Sequence, residues 1–160
     1  MKKDALDEVY RLYSKQVYLY AYALCGNVHM AEDLTGDTFY KAMLALDKHV
    51  PNIKYWLLRV CRNLFFDCCR KGPKEMLPLE ETVLSTGEDP LEMLLQNEKK
   101  QQLSAAMKEL SQSDRELLTM FYFLDCSIHQ IAAFTERTPG SIKTALSRAR
   151  IRLKNILQED

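Results

Sequence analysis

The chain has 160 residues, enough for one ordinary domain or two small ones, and 47 % of them are hydrophobic. Five glycines and five prolines in the whole chain argue against a β-rich or disordered protein. The net charge is zero, but residues 75–98 hold seven acids and no Lys or Arg, whereas residues 137–154 hold six bases and no acid. Overall neutrality therefore does not exclude a nucleic-acid ligand, because local patches govern binding.

The first half of the chain shows helical periodicity, with apolar residues at spacings of three and four. Glycine after the first apolar run is a typical helix stop, and Gly36 inside the second run predicts a close contact at that point. In chain order the predicted elements are a tyrosine-rich helix from Ala5 to Leu24, a stop at Cys25–Asn27, a helix from His29 to Leu46, a loop from Asp47 to Lys54 and a helix from Tyr55 to Arg70.

The pattern breaks between Gly72 and Pro90, where three prolines, two glycines and an acidic bias predict a flexible linker. Helical periodicity resumes near Leu91, and Ser111 or Ser113 is expected to cap a further helix, Asp114–Phe123. The sequence thus predicts an all-α protein of two small helical domains, residues 1–71 and 91–160, joined by an acidic linker of residues 72–90.

Residues 127–154, SIHQIAAFTERTPGSIKTALSRARIRLK, predict two helices and a short turn. Ser127 is the expected cap of a helix Ile128–Phe134, and the turn is Thr135–Thr138. The second helix begins with Pro139, where a missing N–H costs nothing, behind the cap Thr138. This arrangement is typical of a DNA-binding helix-turn-helix, with the recognition helix second.

The second of these helices separates its residue types by face. An apolar arc includes Ile142, Leu146 and Ala149, and the remaining arc carries bases and hydroxyls without any acid. Such a face suits the major groove, where Arg and Lys meet phosphates and guanine edges, although a solvated surface helix is the simpler alternative. The residues on this arc are Ser141, Lys143, Thr144, Ser147, Arg148, Arg150, Arg152 and Lys154.

Other kinds of site are weakly indicated. The five cysteines are odd in number and lack paired CxxC spacing, so reduced thiols are expected; redox sensing by Cys68–Cys69 and a metal site at Cys126 and His129 are the alternatives. No catalytic triad, phosphate-binding glycine loop or cofactor motif is present, so we predict no enzyme activity, no cofactor and no metal. The N-terminus resembles no signal peptide and no apolar run is long enough for a membrane span, which predicts a cytoplasmic protein without membrane insertion.

Two stretches in fixed order resemble a known family. AEDLTGDTFYKA (31–42) followed by WLLRVCRNLFFDCCRK (56–71) resembles region 2 of bacterial extracytoplasmic-function (ECF) sigma factors, and residues 110–154 resemble their region 4. The resemblance covers nearly the whole chain apart from the linker. It implies a promoter-specificity subunit that binds RNA polymerase core, through its β′ coiled coil and β flap, and promoter DNA. It also implies an anti-sigma factor as partner.

The resemblance further implies roles for individual residues. Three residues of the helix-turn-helix would contact phosphates around the −35 element: Thr138, Ser141 and Arg150. The residues implied to read the −35 bases are Lys143, Thr144, Ser147 and Arg148. The residues implied to make single-strand and phosphate contacts at −10 are Asn52, Lys54, Arg59, Arg62 and Asn63. The implied polymerase contacts are Asp33, Thr35, Asp37, Thr38 and Phe39, with a core position as the alternative for Phe39.

The chain also departs from the family pattern. Gly36–Asp37 stands where the family commonly has Gln-Glu, and Ala145 where it often has Arg. The basic tract after the third helix is short, with Arg70, Lys71 and Lys74. The first of these differences predicts an altered or weaker polymerase contact, and the short basic tract predicts a −10 contact that depends more on single-strand capture.

Two other functions fit parts of the sequence. A one-component regulator would bind an operator through the helix-turn-helix and sense a ligand or dimerise through residues 1–71, but this leaves the AEDL and RN motifs unexplained. An all-α interaction protein would use the tyrosine-rich first helix to sequester a partner, but this leaves the basic face of residues 141–154 unexplained.

Overall fold

The protein divides into two compact units, Met1–Glu88 and Asp89–Asp160. The computed structural model describes residues 2–45, 50–71 and 98–159, and within these ranges all regular structure is helical, which confirms the all-α prediction. The predicted linker 72–90, the start of the following helix, Lys74 and most of the loop after the second helix lie outside the described residues.

Unit 1 contains three described helices: α1 (Lys2–Cys25), α2 (Val28–Ala45) and α3 (Ile53–Lys71). The predicted stop after α1 is confirmed, because Gly26 has a φ of 66° and its N–H donates to the Tyr22 carbonyl at 2.8 Å. Asn27 then caps α2, since its Oδ1 accepts the Met30 N–H at 2.8 Å. A two-residue turn therefore joins α1 to α2.

Helix α3 begins two residues earlier than the sequence indicates. Asn52 has a φ of 53° and its carbonyl accepts the Trp56 N–H at 3.1 Å, so Ile53 and Lys54 lie in the first turn. The prediction that Lys54 belongs to a loop is wrong. The three helices pack on one another through buried side chains that include Val17, Tyr20, Leu24, Ala31, Leu34, Ala42, Leu57, Leu58 and Cys61.

Unit 2 begins in the described residues with α4 (Glu98–Glu109), followed by α5 (Gln112–Leu118). Ser111 caps α5 by accepting the Asp114 N–H at 3.2 Å, which selects the first of the two expected caps. The helix then widens into a π-helical turn, Thr119–Phe123, in which the Leu124 N–H donates to the Thr119 carbonyl at 3.1 Å.

The predicted helix-turn-helix is confirmed as α6 (Ile128–Thr135) and α7 (Pro139–Glu159). Ser127 and Gln130 form a reciprocal capping box at the start of α6, with distances of 2.8 and 3.1 Å. Glu136 ends α6 in the left-handed conformation, at a φ of 59°. Thr138 caps α7, since its Oγ1 accepts the Ser141 N–H at 3.1 Å.

The core of unit 2 joins α7 to the helices before it. Ile142, Leu146 and Ala149 are fully buried, as the periodicity of α7 predicts. They pack with buried side chains of α4, α5, the π-helical turn and α6, which include Met107, Leu117, Leu118, Met120, Leu124, Ile131 and Phe134. In the described ranges, no helix is both long and apolar enough to cross a membrane.

Gly36 offers a test of the stability of unit 1. A Cβ built at this position meets no atom of the described residues within 4 Å, so the close contact expected from the sequence is absent. Because glycine in a helix interior costs about 0.5–1 kcal/mol relative to alanine, Gly36→Ala is expected to stabilise unit 1 by that amount. Denaturant unfolding followed by the fluorescence of Trp56, the single tryptophan, measures this change.

Gly140→Ala is the matched control, because its Cβ also meets nothing within 4 Å but the residue lies in the first turn of α7, in unit 2. This variant is expected to leave the Trp56 transition unchanged. Lower stability of Gly36→Ala would show that the site needs glycine for a reason other than packing.

Candidate nucleic-acid interface

The exposed face of α7 carries the predicted base-reading residues together. Lys143, Thr144, Ser147 and Arg148 are all exposed, whereas Leu146 between them is buried in the core. In the part of the chain that the structure describes, no acidic side chain pairs with Lys143, Arg148 or Lys154. These cations therefore keep their full charge for an external anion.

At the start of α7 the predicted phosphate contacts already have partners within the chain. The Thr138 hydroxyl accepts the Ser141 N–H as a cap, and Ser141 Oγ accepts hydrogen bonds from Arg137 Nη2 at 2.7 Å and Nε at 3.0 Å. Arg137 is exposed and was not among the predicted site residues. Its position four residues before Ser141, next to the cap, is the sequence signal that identifies it.

Two arginines further along α7 bind neighbouring side chains of unit 2. Arg150 Nη1 donates to the Tyr122 hydroxyl at 2.9 Å. Arg152 Nη1 donates to both carboxylate oxygens of Asp114, at 2.8 and 3.0 Å. Arg152 lies on the basic arc predicted from the sequence, but the Asp114 carboxylate neutralises it, so its role is to hold α7 against α5.

Two of the predicted −10 residues lie along one line on α3, and a third stands just before that helix. Asn63 is exposed and lies four residues after the half-buried Arg59, so these two align along the helix, whereas Asn52 is exposed immediately before the first residue of α3. Arg62 is next to this line and its guanidinium lies 4.9 Å from the centre of the Phe66 ring. Phe66 was not predicted, and its spacing of four from Arg62 is the signal that identifies it.

Lys54 does not join this group. It precedes the buried residues Leu58 and Cys61 by four and seven positions, so its side chain starts from the core side of α3. Its Nζ lies 5.5 Å from the centre of the Tyr55 ring. Lys54 is half-buried at this position, and its −10 contact stays a prediction.

The predicted polymerase contacts on α2 separate into two groups. Asp33 and Asp37 are exposed, one turn apart, and Thr35 is half-buried with its hydroxyl donating to the Ala31 carbonyl at 2.7 Å. Thr38 is fully buried and donates to the Leu34 carbonyl at 2.7 Å, and Phe39 is 6 % exposed. These last two side chains belong to the core, where the Phe39 ring centre lies 4.9 Å from that of Tyr10.

The thiols of unit 1 differ in burial, from the buried Cys61 to the exposed Cys69. Burial raises the pKa of Cys61 to about 12, and a hydrogen bond with Thr38 offsets this only in part. Burial also raises the pKa of Cys68, with the neighbouring Cys69 thiol as a second cause. Among the described residues, no three His, Cys, Asp or Glu side chains converge on a metal-sized site, and His129 is exposed while Cys126 is buried.

We expect iodoacetamide at pH 8 to alkylate Cys69, which is exposed, long before Cys61, which stays protonated and inaccessible. Mass spectrometry of peptides sampled over time measures the two rates. In 6 M guanidinium chloride all five cysteines should react alike. Equal rates in the native protein would show that α3 opens readily.

Comparisons with known proteins identify the family of each unit. The family model of sigma-70 region 2 matches residues 9–74, and that of sigma-70 region 4 matches residues 100–153. The ECF RNA polymerase sigma factor SigM of Bacillus subtilis is 31 % identical over 151 residues, with 93 % of each chain covered. SigW of the same organism is 25 % identical, with 98 % of this chain and 91 % of that chain covered.

A solved structure shows the same fold. The sigma factor RpoE in complex with the anti-sigma factor NepR, from Bartonella quintana, matches with a TM-score of 0.71 at 27 % identity. The match covers 96 % of this chain and 97 % of that chain. Its extent includes both helical units.

A region 2 unit followed by a region 4 helix-turn-helix defines a transcription initiation factor of the sigma-70 class. The chain belongs to the family of ECF RNA polymerase sigma factors. It binds RNA polymerase core and directs promoter-specific initiation, and the matches favour this function over that of a one-component regulator.

Proposed function

We propose that unit 2 reads the −35 element of the promoter through the exposed face of α7. The observation that carries this proposal is the acid-free face of Lys143, Thr144, Ser147 and Arg148 behind a capped helix-turn-helix. Arginine and lysine at such positions bind guanine edges, and threonine and serine bind either purines or pyrimidines. Thr138, Ser141 and Arg150 flank this face and supply phosphate contacts that set the register.

Unit 1 supplies the −10 contact. The exposed Asn52 and Asn63, with the half-buried Arg59 and Arg62, present amides and guanidinium groups just before α3 and along it. A base turned out of the duplex can hydrogen-bond to the amides, while the arginines bind the strand's phosphates. Lys54 acts at most at the edge of this surface, because it begins on the core side of α3.

The exposed acids Asp33 and Asp37, with Thr35 between them, form the proposed polymerase contact on α2. Acidic side chains on a rigid helix suit a basic helical partner such as the β′ coiled coil, and unit 2 would contact the β flap. Thr38 and Phe39 support this surface from the core. In this arrangement residues 1–71 form the polymerase-binding and −10 domain, residues 91–160 the −35 domain, and residues 72–90 the linker.

An anti-sigma factor is a further proposed partner. The similar sigma factor RpoE was solved in complex with the anti-sigma factor NepR, and a protein that covers α2 or α7 would block the surfaces named above. The chain is proposed to act in the cytoplasm, where core polymerase and the chromosome are.

Run-off transcription with bacterial core polymerase and a library of upstream sequences tests the whole proposal. Defined start sites, each preceded by a common −35 and −10 sequence, are the expected result. Specific duplex binding without core, together with no transcription in its presence, would favour an operator-binding regulator and contradict the proposal.

A further inference from the structure

The hydrogen bond between Arg150 and Tyr122 links the recognition helix to an element outside the helix-turn-helix. Arg150 is exposed on α7, and Tyr122 belongs to the π-helical turn and is 50 % exposed. The bond is 2.9 Å long and joins residues 28 positions apart. In it the guanidinium donates and the phenol oxygen accepts, so the phenol O–H remains able to donate to another acceptor.

The π-helical turn gives Tyr122 a defined direction. The Thr119 carbonyl accepts from the Leu124 N–H, five residues on, and this wider turn rotates the residues that follow relative to an α-helix. The Phe121 ring packs edge-on against the Tyr122 ring, with their centres 4.9 Å apart. The phenol is therefore held by its neighbours before any ligand binds, and it holds Arg150 in turn.

Arg150 stands in a row of donors on one side of α7. Lys143, Ser147, Arg150 and Lys154 follow one another at spacings of four, three and four residues, so they lie along a single line. All four are exposed, and among the described residues no carboxylate pairs with any of them. The Tyr122 hydroxyl adds a neutral donor beside the third position of this line.

We propose that Tyr122 is a phosphate-contacting and positioning residue for promoter binding: its phenol fixes the Arg150 guanidinium, and both groups donate to one backbone phosphate of the −35 duplex. This inference rests on the proposed function of α7. A duplex phosphate fits because it has two free oxygens, one for the guanidinium and one for the phenol O–H. A contact of this kind strengthens binding at every sequence and sets the register of Lys143 and Arg148 over the bases.

The test uses the holoenzyme, formed with core polymerase, and a promoter duplex taken from the run-off selection. Each phosphate of the −35 element is replaced in turn by a neutral methylphosphonate. Wild type, Tyr122→Phe and Arg150→Ala are compared for affinity and for its salt dependence. Tyr10→Phe, which removes a half-exposed phenol from unit 1, is the matched control.

Tyr122→Phe keeps the ring and removes only the hydroxyl, so it is expected to weaken binding roughly five-fold at all promoter sequences without changing base preference. Arg150→Ala should also reduce the slope of log affinity against log salt by about 0.9. At one phosphate, neutralisation should weaken wild-type binding most and should weaken Tyr122→Phe and Arg150→Ala binding less, because each variant has already lost one of the two donors.

Identical phosphate profiles for all four proteins would overturn the inference and leave the pair a role in folding alone. Thermal unfolding of the same variants identifies that outcome, since a purely structural pair changes stability and leaves the profile intact. Failure of the proposed function gives a different result, because the wild-type holoenzyme then forms no promoter-specific complex at all.

Discussion

Arg148→Ala is expected to reduce run-off transcription roughly ten- to one-hundred-fold, and Lys143→Ala is expected to have a slightly smaller effect. Both side chains are exposed on the face of α7 and meet no acid among the described residues, so their hydrogen bonds are available to guanine edges. A good bidentate contact contributes about 1–3 kcal/mol of discrimination between bases. The loss should therefore be greatest on the promoter's best −35 sequence and small on mismatched ones.

Lys15→Ala is the charge-matched control, since Lys15 is an exposed lysine of α1 outside both proposed DNA surfaces. It should transcribe as wild type does. A selection of upstream sequences repeated with Arg148→Ala should show relaxed preference at one −35 position and unchanged preference at −10. Undiminished transcription with the original −35 preference would mean that α7 does not read the promoter.

Removal of the Arg152 guanidinium should destabilise unit 2 by about 2–3 kcal/mol. Arg152→Ala leaves the Asp114 carboxylate, whose side chain is 9 % exposed, without the guanidinium nitrogen from which both of its oxygens accept. An unpaired buried charge costs about 3–5 kcal/mol, and the half-exposed position of Arg152 lowers this figure because water enters the site. The reverse change, Asp114→Ala, should cost less, about 1–2 kcal/mol, since Arg152 is then free in solvent.

Circular dichroism reports helix loss throughout the chain, whereas Trp56 lies in unit 1. Arg152→Ala should therefore move the denaturant midpoint of the circular dichroism transition and leave that of Trp56 fluorescence in place. Arg152→Lys, which keeps the charge but replaces the planar guanidinium with a flexible ammonium group, should fall between wild type and alanine. If Asp114→Ala proved the more harmful change, the carboxylate would be acting chiefly at the start of α5.

Local features were predictable because they depend on residues a few positions apart. The capping of α6 by Ser127 and of α7 by Thr138, and the stop at Gly26, each involve atoms within four residues of one another. The same holds for the two faces of α7, since helical periodicity alone assigns Leu146 to the core and Arg148 to solvent. Motif order then indicated the family, which the comparisons confirm.

Partners distant in sequence required the folded chain. In the sequence, Arg152 is one more basic residue on the recognition face. Its pairing with Asp114, 38 residues earlier, forms only when α5 packs on α7. Thr38 and Phe39 follow the AEDL motif in the sequence and are implied polymerase contacts. The packing of α1 on α2 buries both side chains. Lys54 lies in a helix and not in the predicted loop, because α3 begins two residues earlier than predicted and its core side extends to this position.

The sequence by itself thus determined the helical class, the helix-turn-helix and the residues of α7 that face outward, because hydrogen bonding and amphipathicity within a helix are local. Only the tertiary structure decided which charged and aromatic side chains remain available to DNA or polymerase. Availability depends on the groups that surround each side chain in the folded chain. A carboxylate pairs with Arg152, a phenol accepts a hydrogen bond from Arg150, and the hydrophobic core buries Thr38 and Phe39.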